Sequence, residues 1–137
     1  MKRRISTATE IIDFRIDDVW NIITDNNNWR WRSDLHDLKI LNDKEFIEYG
    51  EGGFQVHFTI TKKEQNKIYA FNMDSKAFFG HWEGVFEELS DGKTKITFTE
   101  SIMYKNLFYK VFASLFINLK SIQNKYMRDL KKRLSEI

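Results

Sequence analysis

The stretch FQVHFTITKKEQNKIYAFNMD, residues 54–74, decides the fold, because its apolar side chains alternate on both sides of a turn signal. With Gln65-Asn66 as a two-residue hairpin turn, Ile60 pairs with Phe71 and Phe58 with Met73, while Thr59 meets Asn72 and His57 meets Asp74. Paired residues share a face, so one side of this hairpin is apolar and the other polar. Upstream, a loop at Gly50–Gly53 sets Tyr49 against Phe54 and Ile47 against Val56. An Asp43-Lys44 turn sets Ile40 against Ile47 and Leu38 against Tyr49, which puts three consecutive hairpins on one common apolar face. Downstream, a three-residue loop Ser90-Asp91-Gly92, with Gly92 in the left-handed position, sets Glu87 opposite Lys95 on the outer side. On the inner side Phe86 faces Ile96, Gly84 faces Phe98 and Trp82 faces Glu100, so a carboxyl falls among apolar side chains.

The flanks change period. Ile5–Ile12 is rich in β-formers and reads as a first strand, after which Ile16, Val19, Trp20 and Ile23 follow helical spacing behind Asp17 and Asp18. Asp25-Asn26-Asn27-Asn28 stops this helix, since such side chains compete for backbone hydrogen bonds. Trp29-Arg30-Trp31-Arg32 follows, as a second short helix or an ordered loop. Beyond Tyr104, Phe108, Val111, Phe112, Leu115, Phe116, Leu119, Ile122, Tyr126, Leu130 and Leu134 form one helical stripe. A single helix from Asn106 to Glu136 would run roughly 46 Å, longer than so small a fold, and so overhangs or bends near Asn118–Ser121.

Composition bounds the possible functions. A chain of 137 residues suits one domain over 1–137, and 42% hydrophobic and 15% aromatic residues suffice for a core. With no cysteine, disulfides, thiolate nucleophiles and Cys-ligated metals are excluded. No uncharged run approaches a membrane span, and Glu10 and Asp13 interrupt what would be the apolar part of an export signal, which favours the cytoplasm. A net charge of +2 is too small to argue for nucleic acid, and no DNA is expected. Basic residues gather at Lys125, Arg128, Lys131, Lys132 and Arg133, which reads as a solvated helix end or as a patch for an anionic membrane surface or a protein partner.

Strand, two short helices, a run of antiparallel strands and one long amphipathic helix make an α+β arrangement. The curved antiparallel sheet of about seven strands must wrap round the C-terminal helix. Asp18-Val19-Trp20, Asp25 with Trp29 and Trp31, Gly80-His81-Trp82, and Thr94-Lys95-Ile96-Thr97 after Asp91-Gly92 resemble the START-like, Bet v 1-like (SRPBCC, polyketide cyclase-like) helix-grip superfamily. Many members carry a proline just before the first helix, where this chain has Phe14-Arg15-Ile16. The resemblance implies a cavity for a hydrophobic small molecule between sheet and terminal helix, in a superfamily that spans carriers, cyclases, hydrolases and sensors.

Glu100 is the leading chemical candidate. Turned inward among Trp82, Phe98 and Ile102 it would have a raised pKa, fit for a general acid or base; a bulge or a tyrosine partner would make it structural. The expected ligand walls are Trp82, Phe98, Ile102, Phe58, Phe71, Met73, Tyr49, Phe86, Phe108, Phe112 and Leu115, with Trp31 and Arg32 at the entrance. Arg30 and Arg32 could hold a carboxylate or phosphate, or the tryptophans wedge against the sheet with the arginines in water. His57 and Asp74 pair across strands on the face expected outside, His81 reads as surface, and His36 sits between Asp34 and Asp37. The three histidines form no ligand spacing and no phosphate loop, nucleophile elbow or dinucleotide glycine pattern occurs, so neither metal nor cofactor is expected. Three readings follow: a carrier or sensor of a lipid-like, polyketide or isoprenoid molecule, acting as monomer or homodimer; a cyclase, dehydratase or hydrolase-like enzyme using Glu100; and an Aha1-like protein-interaction module.

Overall fold

The computed structural model describes residues 3–116 and 118–137, with the side chains at 114–116 outside the description. Strand β1 (Arg4–Ile12) leads into helix α1 (Ile16–Thr24), and six strands follow: β2 (Asp37–Ile40), β3 (Glu45–Tyr49), β4 (Gln55–Glu64), β5 (Ile68–Asp74), β6 (Phe78–Glu88) and β7 (Thr94–Tyr104). Helices α2 (Leu107–Phe116) and α3 (Leu119–Ser135) complete the chain. The strands form one antiparallel sheet in the order β1-β7-β6-β5-β4-β3-β2, so only β1 leaves sequence order, pairing with β7. Among the described residues no helix is long and apolar enough to cross a membrane.

Helix α1 buries the residues its periodicity selects, Ile16, Val19, Trp20 and Ile23, against the sheet. It begins without a side-chain cap; the Thr94 hydroxyl, donating to the Phe14 carbonyl at 2.8 Å, fixes the entry instead. Residues 26–34 run through turns, so the ordered loop, rather than a second short helix, stands at Trp29–Arg32. Ser33 ties this loop to α3, its backbone N–H and hydroxyl both donating to Asp129 Oδ2 at 2.8 and 2.7 Å.

The terminal helix does break where its excessive length requires. Asn118 leaves the helical conformation (φ -120°, ψ 109°) and its side chain accepts from the Ser121 N–H at 3.2 Å, capping α3. Leu119, Gln123, Met127, Leu130 and Leu134 of α3 are buried. Gln123 locks the helix onto β1, accepting from the Ser6 hydroxyl at 2.8 Å and donating to the Ser6 carbonyl at 3.0 Å. Of the basic residues, Lys132 and Arg133 occupy the last turn, where they suit the helix C-terminus, and Lys131 meets Glu10 at 2.8 Å.

The hairpin registers separate into two groups. From Phe86 opposite Ile96 to Trp82 opposite Glu100, β6 and β7 pair as the sequence dictates, and Gly92 takes φ 72° in the loop. The β4–β5 pairs Ile60–Phe71, Phe58–Met73, Thr59–Asn72 and His57–Asp74 also hold, but through two irregularities that cancel. The turn has three residues, with Asn66 at φ 62°, and Thr61 is bulged out of β4 so that Ile60 and Lys62 face consecutive residues Phe71 and Ala70. Strand β3, by contrast, is inverted relative to the expectation. Asn42 accepts from the backbone N–H of Lys44 and of Glu45, both at 3.0 Å, which makes a longer loop and sets Ile40 opposite Phe46 and Leu38 opposite Glu48. On its other side a 3-10 turn at Glu51–Gly53 sets Tyr49 opposite Gln55. A one-residue slip exchanges faces. Phe46 and Glu48 therefore point inward, and Ile47 and Tyr49 outward.

Two apolar clusters flank the middle of the sheet. One joins α1 and α3 to Ile12, Phe86, Ile96 and Phe98; the other joins Leu38, Phe46, Phe58, Met73 and Ile102 to Ala113 and Leu119. Ile60, Phe71 and Trp82, only partly buried, pack against both. The Trp82 indole is laid along its strand over Gly84: a Cβ at residue 84 would sit 2.7 Å from the ring atom Cη2 and 3.2 Å from the Phe98 ring. Gly84→Ala should therefore push the indole off the sheet and cost about 1–3 kcal/mol, read as a lower urea midpoint at unchanged slope.

Candidate functional site

The space between the clusters is a cavity of about 350 Å³. Its floor is the concave face of the sheet, where ring packs on ring: Phe46 stacks on Phe58 at 4.8 Å, and Phe71 stacks on Trp82 at 4.9 Å. Phe98, tilted against Trp82 at 4.7 Å, continues the floor, and Met73 adds a flexible apolar patch. The end of α1 contributes Ile23 and the loop after it Asn26, α3 contributes Ile122, Gln123 and Tyr126, and Phe54 and Phe78 form a rim. Ile122 is 45% exposed, which places the opening beside α3. The aromatic content therefore does not fill the interior.

One end of this cavity is charged. Arg32 enters from the loop after α1 and lies 5.3 Å above the Tyr126 ring. Its Nη1 and Nη2 donate to Glu48 at 2.7 and 3.3 Å, and its Nε and Nη2 donate to Asp34 at 3.3 and 2.9 Å. Burial alone would lower the guanidinium's pKa, but Glu48 and Asp34 outweigh it and hold Arg32 protonated. Burial raises Glu48 above the ordinary carboxylate value and Arg32 opposes; the two-point contact with a permanent cation is what holds charge on this pair. Burial also lifts the Tyr126 hydroxyl, and lifts Tyr69 to about 12.

Glu100 projects into the same cavity, across from Trp82 on one side and Ser6 on the other. Its carboxyl makes no side-chain hydrogen bond or ion pair with any described residue. Burial, then the nearby Glu48, push its pKa up to about 7, with Arg32 opposing. A carboxyl balanced between its two forms near neutral pH, facing a void, can exchange a proton with whatever occupies that void.

The residues singled out in the sequence divide accordingly. Trp82, Phe98, Phe58, Phe71, Met73, Arg32 and Glu100 line the cavity. Ile102 is buried in the second cluster beside it, and Phe86 packs edge-on against Trp20 at 5.0 Å, too deep to reach the void. Tyr49 faces outward because β3 is inverted. Trp31 wedges against Tyr126 at 5.3 Å, the structural role open to it, whereas Arg32 is not in water but inside. Phe108 and Phe112 do not line the cavity and are 72% and 50% exposed, because the break at Asn118 lets α2 turn Tyr109 and Ala113 inward instead. The Leu115 side chain, like that of Phe116, lies outside the described residues. Sequence reasoning missed Glu48, Asp34, Tyr126, Phe46 and Asn26; the first and fourth were hidden by the register slip.

The outer face carries His57 and His81, while His36 is exposed in the loop before β2. His57 stands opposite Asp74 but meets Glu45 at 3.0 Å, and Asp74 meets Lys105 at 2.8 Å, so no His–Asp dyad forms. His81 Nδ1 lies 2.7 Å from Asn72 Oδ1. Among the described residues no three His, Asp or Glu side chains converge as a metal site would require.

A family described as a domain of unknown function (DUF3284) matches residues 5–118. Among curated proteins none matches the sequence. Solved structures do match in shape. The Zhui aromatase/cyclase from a Streptomyces species superposes with a TM-score of 0.81 at 9% identity, covering 98% of this chain and 94% of its own. A START superfamily protein from Mycobacterium smegmatis gives 0.79 at 11% identity, over 96% and 97% of the two chains. A conserved protein from Geobacillus kaustophilus gives 0.76 at 12% identity, over 97% and 96%.

Proposed function

Because the chain belongs to the DUF3284 family, whose description assigns no function, and has the START-like, Bet v 1-like helix-grip fold, we propose its function from the cavity: it binds a compact amphipathic small molecule as a carrier or sensor. One observation carries this reading. A hollow of about 350 Å³, walled by stacked aromatic rings, ends in charged groups that no simple core would bury. That volume lies at the small end of the range for ligand sites. Covering apolar ligand surface at roughly 25 cal/mol per Å² supplies affinity, and the polar end orients the molecule.

The test uses N-phenyl-1-naphthylamine, an uncharged aromatic probe whose emission rises on leaving water. It should bind with saturable fluorescence enhancement, and Val56→Phe, which enlarges a wall residue without changing charge, should weaken it by about tenfold or more. A fully folded protein that gives no saturable enhancement would overturn the reading.

A second reading rests on Glu100, whose carboxyl stands unpaired in the cavity with a pKa of about 7 and is thus fit to move protons in a cyclase, dehydratase or hydrolase-like reaction. Glu100→Gln separates the two. As a binding protein the variant keeps the uncharged probe; as an enzyme it keeps the probe and loses turnover of whatever substrate the wild type converts.

A further inference from the structure

The sign of charge at the polar end selects among amphipathic molecules. Among the described residues lining the cavity, one cation, Arg32, faces three carboxyl groups, Glu48, Asp34 and Glu100. Both edges of the guanidinium are already occupied by Glu48 and Asp34. An incoming carboxylate or phosphate would have to displace one of them, leaving a carboxylate unpaired in a poorly solvated place, which is costly. The Glu100 carboxyl, by contrast, has no side-chain partner among the described residues. Tyr126 and Tyr69, which also line the cavity, have hydroxyls that can donate or accept and so do not decide the sign. Helix α1 adds to the bias, since Ile23 and Asn26 present its C-terminal, partially negative end, and its last turn holds no basic residue.

We propose that the molecule this cavity takes carries a protonated amine, seated between the free carboxyl of Glu100 and the carboxylates of Glu48 and Asp34, on a compact aromatic or alicyclic body. The inference rests on the cavity reading above and specifies its ligand class. The apolar body lies over Phe71 and Trp82, whose electron-rich faces also favour a nearby cation. Binding gains as Glu100 loses its proton. The groups that face it are Arg32 and Asp34 from the loop, Glu48 from β3, Trp82 from β6, Ser6 from β1, and Gln123 and Tyr126 from α3. Arg4, on the same face of β1, is not part of the lining.

Three molecules of matched shape make the test: 1-naphthylmethylamine, 1-naphthylmethanol and 1-naphthoate, each competing against N-phenyl-1-naphthylamine on the full chain. At about pH 8 the amine should displace the probe about tenfold more tightly than the alcohol, and the carboxylate at least about tenfold more weakly. At about pH 5.5 the amine's advantage should shrink by about threefold or more, as Glu100 takes up a proton. Glu100→Gln, and separately Asp34→Asn at the more exposed carboxyl, should each cut the amine's advantage over the alcohol by about threefold or more. A carboxylate that competes as well as the amine, or an amine advantage undiminished in both variants, would overturn the amine assignment while the probe still bound. Failure of the uncharged probe itself would instead overturn the cavity reading beneath it.

Discussion

Arg32→Met should cost about 3–5 kcal/mol of stability, a loss large enough to unfold much of the population at moderate urea. The cost comes less from the missing cation than from what it leaves behind. Glu48 has only 12% of its side chain exposed and no second cation within ion-pair distance among the described residues. It would have to take up a proton or draw water into the cavity. Asp34, 35% exposed, can turn to solvent and should matter less. The double variant Arg32→Met/Glu48→Leu separates these causes, since removing both charges together restores an apolar wall. Urea titrations should find the double variant more stable than Arg32→Met by about 2 kcal/mol or more. A single variant as stable as wild type would show that the pair is solvated and the cavity end open.

The pH dependence of stability should carry the signature of Glu100. Its folded pKa of about 7 lies above its ordinary value of 4.5, so the native state holds this proton more tightly than the unfolded chain does. A raised carboxyl favours folding fully below its unfolded pKa, and the contribution fades as pH climbs through the folded one. Stability from this group therefore falls between about pH 4.5 and pH 7, by about 2–3 kcal/mol. Glu100→Gln mimics the protonated form at every pH. Its melting temperature should match wild type near pH 5 and exceed it by about 5–8 °C near pH 8. Differential scanning calorimetry across that window checks this, and a pH-independent difference would place Glu100 in solvent.

Glu100 itself was legible in the sequence because the β6–β7 loop names its own geometry: Gly92 supplies the left-handed residue, and every pair behind it follows. Residues of α1 and α3 were legible for the same kind of reason, since 3.6-residue spacing reports burial directly. Glu48 was not. Its orientation depends on two loops whose lengths are set by backbone hydrogen bonds donated to the Asn42 side chain and by the 3-10 turn at Glu51–Gly53, and neither bond nor turn shows in alternation alone. Both candidate registers pair apolar residues; only the observed one brings Phe46 onto Phe58. The α2 side chains failed for a further reason. Periodicity identifies a stripe but not whether a helix break rotates it away, and Asn118 does so.

The paired irregularities of the β4–β5 hairpin bear on how such a chain can diverge. One surplus residue in the turn is absorbed by Thr61, four to five positions away, before Phe58 and Phe71 are reached. Lineages could thus lengthen or shorten that hairpin tip by a single codon, provided the swelling at residue 61 appeared or vanished with it, and the cavity floor would never feel the change.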